Sequence, residues 1–258
     1  MLHTRTTVSI GVSSLVLAAV AGIAGVTSTP ASATVEPGTP ARDVHIGDDD
    51  DNARNPLIQP RGVTKAQHMD NTDILFGRDN DDLLVGRRGG DTLLGGAGSD
   101  ILVGGPDRGR APSGDVAVGD TGDDVDIWSP GDGNDAFVAN EGRDTMIFAP
   151  LVKRSNGSLL LTRFAGRRIP HVRIAHQSGV GCTIVKVPGS GFQFLVRFEV
   201  AGTPVATVRQ KDVERVLCPS PRRNRVEIAD LTVRHPAFRT IRLSQVRGTT
   251  GAILRAAG

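Results

Sequence analysis

Between residues 70 and 150 the apolar positions of the chain fall on a nine-residue beat. Aspartates stand at Asp73, Asp82, Asp91 and Asp100, and a leucine follows each two positions later, at Leu75, Leu84, Leu93 and Leu102. A glycine comes two further on, at Gly77, Gly86, Gly95 and Gly104. Each Asp-x-U-x unit, with U the apolar position, reads as a short strand whose U side chain points to one face. Glycine at the turns admits positive φ without a Cβ clash, so the chain can turn sharply every nine residues. The neighbours of U are apolar too: Ile74 and Phe76, Leu83 and Val85, Leu94, Ile101 and Val103. Strands apolar on both faces usually have both covered, although β-propensity alone would also favour such residues. After Asp100 the beat breaks around Pro106 to Pro112. It resumes at Asp115 and Asp124, slips by two, and resumes at Asp135 and Asp144. The U position after Asp124 is Asp126, which is not apolar.

Past Pro150 the pattern changes. Phe192, Phe194, Val196, Phe198 and Val200 alternate with the intervening residues, which predicts a half-buried strand. Shorter strand candidates are 159–164, 172–175, 183–187, 213–217, 226–233 and 241–246. Turns such as Pro188-Gly189-Ser190-Gly191 and Ala201-Gly202-Thr203-Pro204 separate them. Short strands with this punctuation predict a small β-sandwich-like or barrel domain over 151–258, in a chain that is all-β.

The segment Gly95-Gly96-Ala97-Gly98-Ser99-Asp100-Ile101-Leu102-Val103 matches G-G-x-G-x-D-x-U-x at every specified position. That nonapeptide is a known calcium-binding pattern. Over about a third of its length the chain resembles the RTX (haemolysin-type) calcium-binding repeat family. The resemblance implies a parallel β-roll over 68–150, with two nonapeptides to a coil and the U residues meeting inside. Residues eighteen apart would then stack, Asp73 above Asp91 and Asp82 above Asp100, at a strand spacing of about 5 Å. Asp115 would pair with Asp135 and Asp124 with Asp144, each across a two-residue bulge.

Two carboxylates about 5 Å apart, at an effective dielectric of about 20, repel by on the order of 3 kcal/mol. Ordering glycine-rich turns costs entropy as well, and a thin coil buries too little apolar surface to offset both. A hard divalent cation between the carboxylates turns the repulsion into attraction, and oxygen-only ligation selects calcium. The implied calcium ligands are Asp73, Asp82, Asp91, Asp100, Asp115, Asp124, Asp135 and Asp144. The turn glycines Gly86, Gly89, Gly95, Gly96 and Gly98 belong to the same sites. The expectation is a segment disordered without calcium and rolled with it. Composition alone would also permit a glycine-rich acidic linker; four in-register copies with a fixed apolar position argue against that.

The rest of the chain sets the context. Residues 1–33 have the layout of a secretory signal peptide: an apolar run from Val8 to Val26, then Ala31-Ser32-Ala33 as the cleavage site. The mature chain is expected to be secreted, extracellular and without a membrane span. Extracellular calcium modules work at roughly 10⁻⁴ to 10⁻³ M, so folding would follow export. Residues 34–67, with their prolines and the run Asp48-Asp49-Asp50-Asp51, read as an acidic linker; such runs are usually just solvated.

Charge divides the chain. Residues 34–150 hold 10 Lys+Arg against 23 Asp+Glu, whereas 151–258 hold 19 against 5. Either the halves attract, with the basic one covering the apolar outer strands of the roll, or the basic half grips an extracellular polyanion such as a cell-wall polymer, or both surfaces are merely solvated. Export and the scarcity of aromatics count against nucleic acid. Cys182 and Cys218, the only cysteines, read as a disulfide in an exported chain, with two buried thiols as the alternative. His171 and His176 read as surface or core residues. H-E-x-x-H, G-x-S-x-G and the phosphate-loop motif are all absent from the sequence. The expectation is a calcium-binding protein without catalytic residues. A hydrolase with an unrecognised C-terminal site and a calcium-dependent adhesin are the competing classes.

Overall fold

The computed structural model describes residues 33–36, 42, 44–46, 72–105, 114–189 and 191–255. The apolar leader, the aspartate run at 48–51 and the interruption at 106–112 lie outside the described residues. In chain order the strands are β1 (Ala33–Glu36), β2 (Val44–Ile46), β3 (Thr72–Asp79), β4 (Leu83–Val85), β5 (Thr92–Ala97) and β6 (Ile101–Val103). Then come β7 (Val116–Thr121), β8 (Val125–Trp128), β9 (Ala136–Glu141), β10 (Thr145–Phe148), β11 (Leu161–Phe164) and β12 (Arg167–Pro170). The last are β13 (Val180–Lys186), β14 (Phe194–Val200), β15 (Thr203–Lys211), β16 (Arg215–Cys218), β17 (Arg225–Asp230) and β18 (Arg239–Arg242), before helix α1 (Gly248–Arg255).

The nine-residue beat produces a parallel β-solenoid. Odd strands β3, β5, β7 and β9 line one sheet and even strands β4, β6, β8 and β10 line the other. Leu75 pairs with Leu93 and Leu84 with Leu102, the eighteen-residue stacking expected of two repeats per coil. These four leucines are fully buried between the sheets, each worth roughly 1.5–3 kcal/mol relative to exposure. Strands β1 and β2, from the stretch 34–67, extend the two sheets by parallel pairing, Ala33 with Thr72 and Val44 with Leu83.

The C-terminal strands continue the same two sheets. β15 pairs parallel with β9, and β14 and β13 follow antiparallel; β16 pairs parallel with β10, and β17 and β18 follow antiparallel. A change from parallel to antiparallel pairing therefore marks the passage from repeat to non-repeat sequence, and the core runs on without a break from Leu75 to Phe198, Val208 and Val216. The separate two-stranded sheet is the hairpin β11–β12.

The apolar neighbours of U on the even strands are covered. Leu83, Val85, Ile101, Val103 and Ile127 form a second core with Ile169, Val172 and Ile174 and with Ile253 and Leu254 of α1. The basic half thus lies over the outer face of one solenoid sheet, the first of the three arrangements the charge split allowed. On the odd strands the equivalent residues Ile74, Phe76, Leu94 and Val118 are only half-buried.

Two aromatics take the place that glycine holds in the early coils. Trp128 and Phe148 stand four residues after Asp124 and Asp144, and both rings meet Phe198, at centroid distances of 4.8 and 6.3 Å. The longer turn after β8 accommodates the indole, whose Nε1–H donates to the Gly133 carbonyl at 3.1 Å.

Candidate metal centre

Strands β4 to β10 each begin just after a beat aspartate and β3 holds Asp73 as its second residue, so the carboxyls collect into two ladders. At the start of the odd strands the backbone N–H of Asp73 donates to Asp91 Oδ1 at 2.8 Å, Asp91 to Asp115 at 2.8 Å, and Asp115 to Asp135 at 2.9 Å. At the start of the even strands Asp82 donates to Asp100 at 2.7 Å, Asp100 to Asp124 at 2.7 Å, and Asp124 to Asp144 at 2.8 Å. All eight residues are buried. The pairs are those expected from the repeat, including the two across twenty residues, but the bond between coils is an amide-to-carboxylate hydrogen bond. That bond holds each Oδ1 and offsets part of the repulsion between neighbouring carboxyls.

The glycines have a packing role beside the carboxyls. A Cβ on Gly86 would overlap the carboxyl of Asp91, and one on Gly95 that of Asp100; Gly104 with Asp115 and Gly119 with Asp124 repeat the contact. The glycine two before each turn's midpoint is thus what lets the acid fold inward. Gly96 follows with φ +103° and would strike the carbonyl of Arg78 with any side chain, so only glycine fits there. Gly98 and Gly89 hold the other positive-φ position of the turn, at 143° and 120°.

Burial makes these acids weak. It pushes Asp100 up to about 7, Asp124 to about 8 and Asp144 to about 7, against the pull of the backbone N–H that each accepts. Asp115 is raised well above the usual range, first by burial and then by the charges of Asp135 and Asp91. The Oδ2 atoms of Asp100, Asp115, Asp124 and Asp144 are buried and accept no hydrogen bond. Orphaned anionic oxygens cradled against bare glycine carry the right donors for a hard cation. Among the described residues no three His, Cys, Asp or Glu side chains converge as a cluster. An ion here would therefore draw on one or two carboxylates together with turn carbonyls.

The two ladders differ in their surroundings. Beside the even-strand ladder Arg167 is buried at the start of β12. Its guanidinium lies 3.4 Å from Asp81 and donates to the Ser99 carbonyl, and its charge pulls the pKa values of Asp100 and Asp124 down. Arg42 also pairs with Asp81, at 3.2 Å, and donates to Ala165 of the hairpin turn at 3.0 Å. Arg215 acts likewise on Asp144. The charged groups acting on Asp115 are all anionic: Asp135, Asp91 and Asp132.

Three residues of this region, Glu214, Asp132 and Arg167, escaped the repeat pattern, and a fourth, Asp126, breaks it. Glu214 ends the even-strand ladder, accepting the N–H of Asp144 at 2.6 Å. Glu214-Arg215-Val216-Leu217 is an acid-x-apolar-x unit with glutamate for aspartate, a signal that a search restricted to aspartate passes over. Asp132 accepts the Ser129 N–H at 2.6 Å in the widened turn. Asp126, at a U position, is raised to about 8 by burial among apolar groups. Arg167 sits among basic residues with nothing local to single it out.

The disulfide Cys182–Cys218 is present, with Cα atoms 6.2 Å apart, and ties β13 of one sheet to β16 of the other. His171 is buried, which lowers the pKa of its ring, whereas His176 is exposed. Among the described residues no helix is long and apolar enough to cross a membrane. The chain matches no protein-family model and no curated protein.

Proposed function

We propose that the protein is an exported, non-enzymatic calcium-binding β-roll in which the ion orders the solenoid. What carries this reading is the buried carboxyl ladder with Oδ2 atoms that accept no hydrogen bond, on a sequence that repeats the calcium-binding nonapeptide. Neutralising those carboxyls is necessary for folding at neutral pH, since burying unpaired anions is costly. A proton can do this only below their raised pKa values. A divalent ion does it outside the cell at roughly millimolar concentration. The signal-like leader and the disulfide support export.

The odd-strand ladder is the favoured site, with Asp91, Asp115 and Asp135 as its carboxylates. Arg167 and Arg215 already supply positive charge to the even-strand ladder. Calcium titration of the purified protein by calorimetry, alongside circular dichroism in calcium and in excess chelator, tests the proposal. Saturable binding and a gain of β-signal with calcium are expected. The same compact β-signature in chelator, with no bound ion, would overturn it.

A further inference from the structure

The cover over the even-strand sheet leaves a gap. Between β4 and β6 on one side and residues 151–168 on the other lies a cleft of about 280 Å³. Its inner surface is aliphatic, with Val85 and Val103 from the solenoid and Leu151, Leu159 and Leu161 from the covering segment. Four cations, Arg87, Lys153, Arg154 and Arg168, line it as well, beside Ser158 and two glycines, and the last three cations are exposed. Among the described residues no Asp or Glu lines the cleft, and Lys153, Arg154 and Arg168 enter no ion pair.

This arrangement differs from the other arginine-rich hollow, near Arg143, Arg215, Arg239 and Arg247. There Asp123, Glu214 and Asp144 act on Arg215, so the positive charge is already balanced within the fold. At the aliphatic cleft Lys153, Arg154 and Arg168 have no such counter-charge among the described residues. A row of cations without an apolar floor would suit a polyanion, and an apolar floor without cations would suit a neutral lipid. Here the two occur together, which fits a molecule with one anionic end and a hydrocarbon body.

We propose that the cleft between the solenoid and residues 151–168 binds an aliphatic molecule with a single terminal carboxylate, its chain on Val103, Leu159 and Leu161 and its head among Lys153, Arg154 and Arg168. The site is independent of calcium ligation, since it lies on the outer face of the even strands and uses none of the ladder carboxyls.

Calorimetric titration of the calcium-loaded protein with sodium octanoate tests it. Saturable binding is expected, with acetate, which lacks the chain, and octan-1-ol, which lacks the charge, each roughly tenfold weaker or worse. The double variant Lys153→Ser/Arg154→Ser should lose roughly tenfold in octanoate affinity with an unchanged thermal midpoint, both side chains being exposed. Leu159→Trp, which fills the cleft and leaves its charges, should abolish binding. Arg234→Ser, an exposed charge far along the chain, is the control and should bind as the parent does. Octanoate binding no tighter than acetate, or equal in all four proteins, overturns the proposal. A failure of calcium binding with octanoate binding intact would count against the ion alone.

Discussion

The backbone N–H of Asp144 donates to the carboxylate of Glu214, 70 residues further along the chain, at 2.6 Å. This contact splices the last nonapeptide coil onto the first non-repeat strand of its sheet, because Thr145 and Arg215 are the paired residues that follow. Glu214→Ala leaves a part-buried N–H without its acceptor and should cost about 1–3 kcal/mol. Glu214→Gln keeps an acceptor while removing a like charge next to Asp144, and should be close to neutral. Urea unfolding in calcium checks both, and an alanine variant as stable as the parent would remove Glu214 from the ladder.

Asp126 interrupts the apolar stack of the even strands, between Leu102 on one side and Met146 on the other. Its pKa is raised to about 8 by burial, with only the N–H of Ile127 acting in the other direction. Asp126→Leu restores the repeat and should raise stability by about 1–3 kcal/mol at pH 8, with less gain at pH 5 where the acid is protonated. Denaturant midpoints at the two pH values read this out. A loss of calcium binding in this variant would mean that Asp126 is a ligand.

The coil, its register and the aspartate pairs were legible because position and chemistry repeat together. Asp73, Leu75 and Gly77 recur as a set every nine residues, and the resemblance to the calcium-binding repeat family implied two repeats to a coil, from which the eighteen-residue stacking followed. The disulfide was legible by elimination, since the chain holds two cysteines. The C-terminal architecture was not. Its strands are specified by their neighbours in β9 and β10, so the same alternation at Phe194, Val196 and Phe198 is compatible with a free-standing sandwich or with an added sheet edge. Helix α1 was missed altogether. Gly248, Thr249, Thr250 and Gly251 are poor helix formers, and the turn forms because Ile253 and Leu254 bury against the even strands. Arg167 is specified by its position over Asp81 and Ser99, which lie more than 60 residues earlier.

Cys182–Cys218 closes a sequence separation of 36 residues and joins the two sheets where the solenoid ends. Replacing both cysteines by serine should cost about 2–4 kcal/mol and leave calcium affinity of the nonapeptide coils unchanged. A thermal melt with and without reductant, paired with calcium titration, separates the two effects. Loss of calcium binding on reduction would show that the sites require the C-terminal cap.

The ladders predict unequal responses to loss of a carboxylate. Asp115→Asn removes a charge beside three aspartates, Asp135, Asp91 and Asp132, and Asp91→Ala removes one of those three; both should abolish or strongly weaken calcium-induced ordering. Asp124→Asn removes charge beside Arg167 and should leave calcium affinity within about twofold. Asp120→Ala, exposed and off the ladder, should do nothing. Equal losses for Asp115→Asn and Asp124→Asn would place the ion on both ladders.

The raised pKa values of the buried aspartates fix how stability must vary with pH. Asp100, Asp124 and Asp144 bind a proton in the fold up to about 7 or 8, whereas the unfolded chain releases it near 3.9. Between those limits the folded state holds more protons than the unfolded one, so stability without metal falls as pH rises. The thermal midpoint in chelator should therefore be higher at pH 5 than at pH 8, with a steady decline between them. Asp115 of the odd-strand ladder is raised well above the usual range too, and calcium competes with its proton, so the rise it produces should be small at pH 5 and large at pH 8. Melts at both pH values, with calcium and with chelator, give the four midpoints needed. A calcium effect that is equal at the two pH values, or larger at pH 5, would mean that the buried carboxyls are not what the ion displaces protons from.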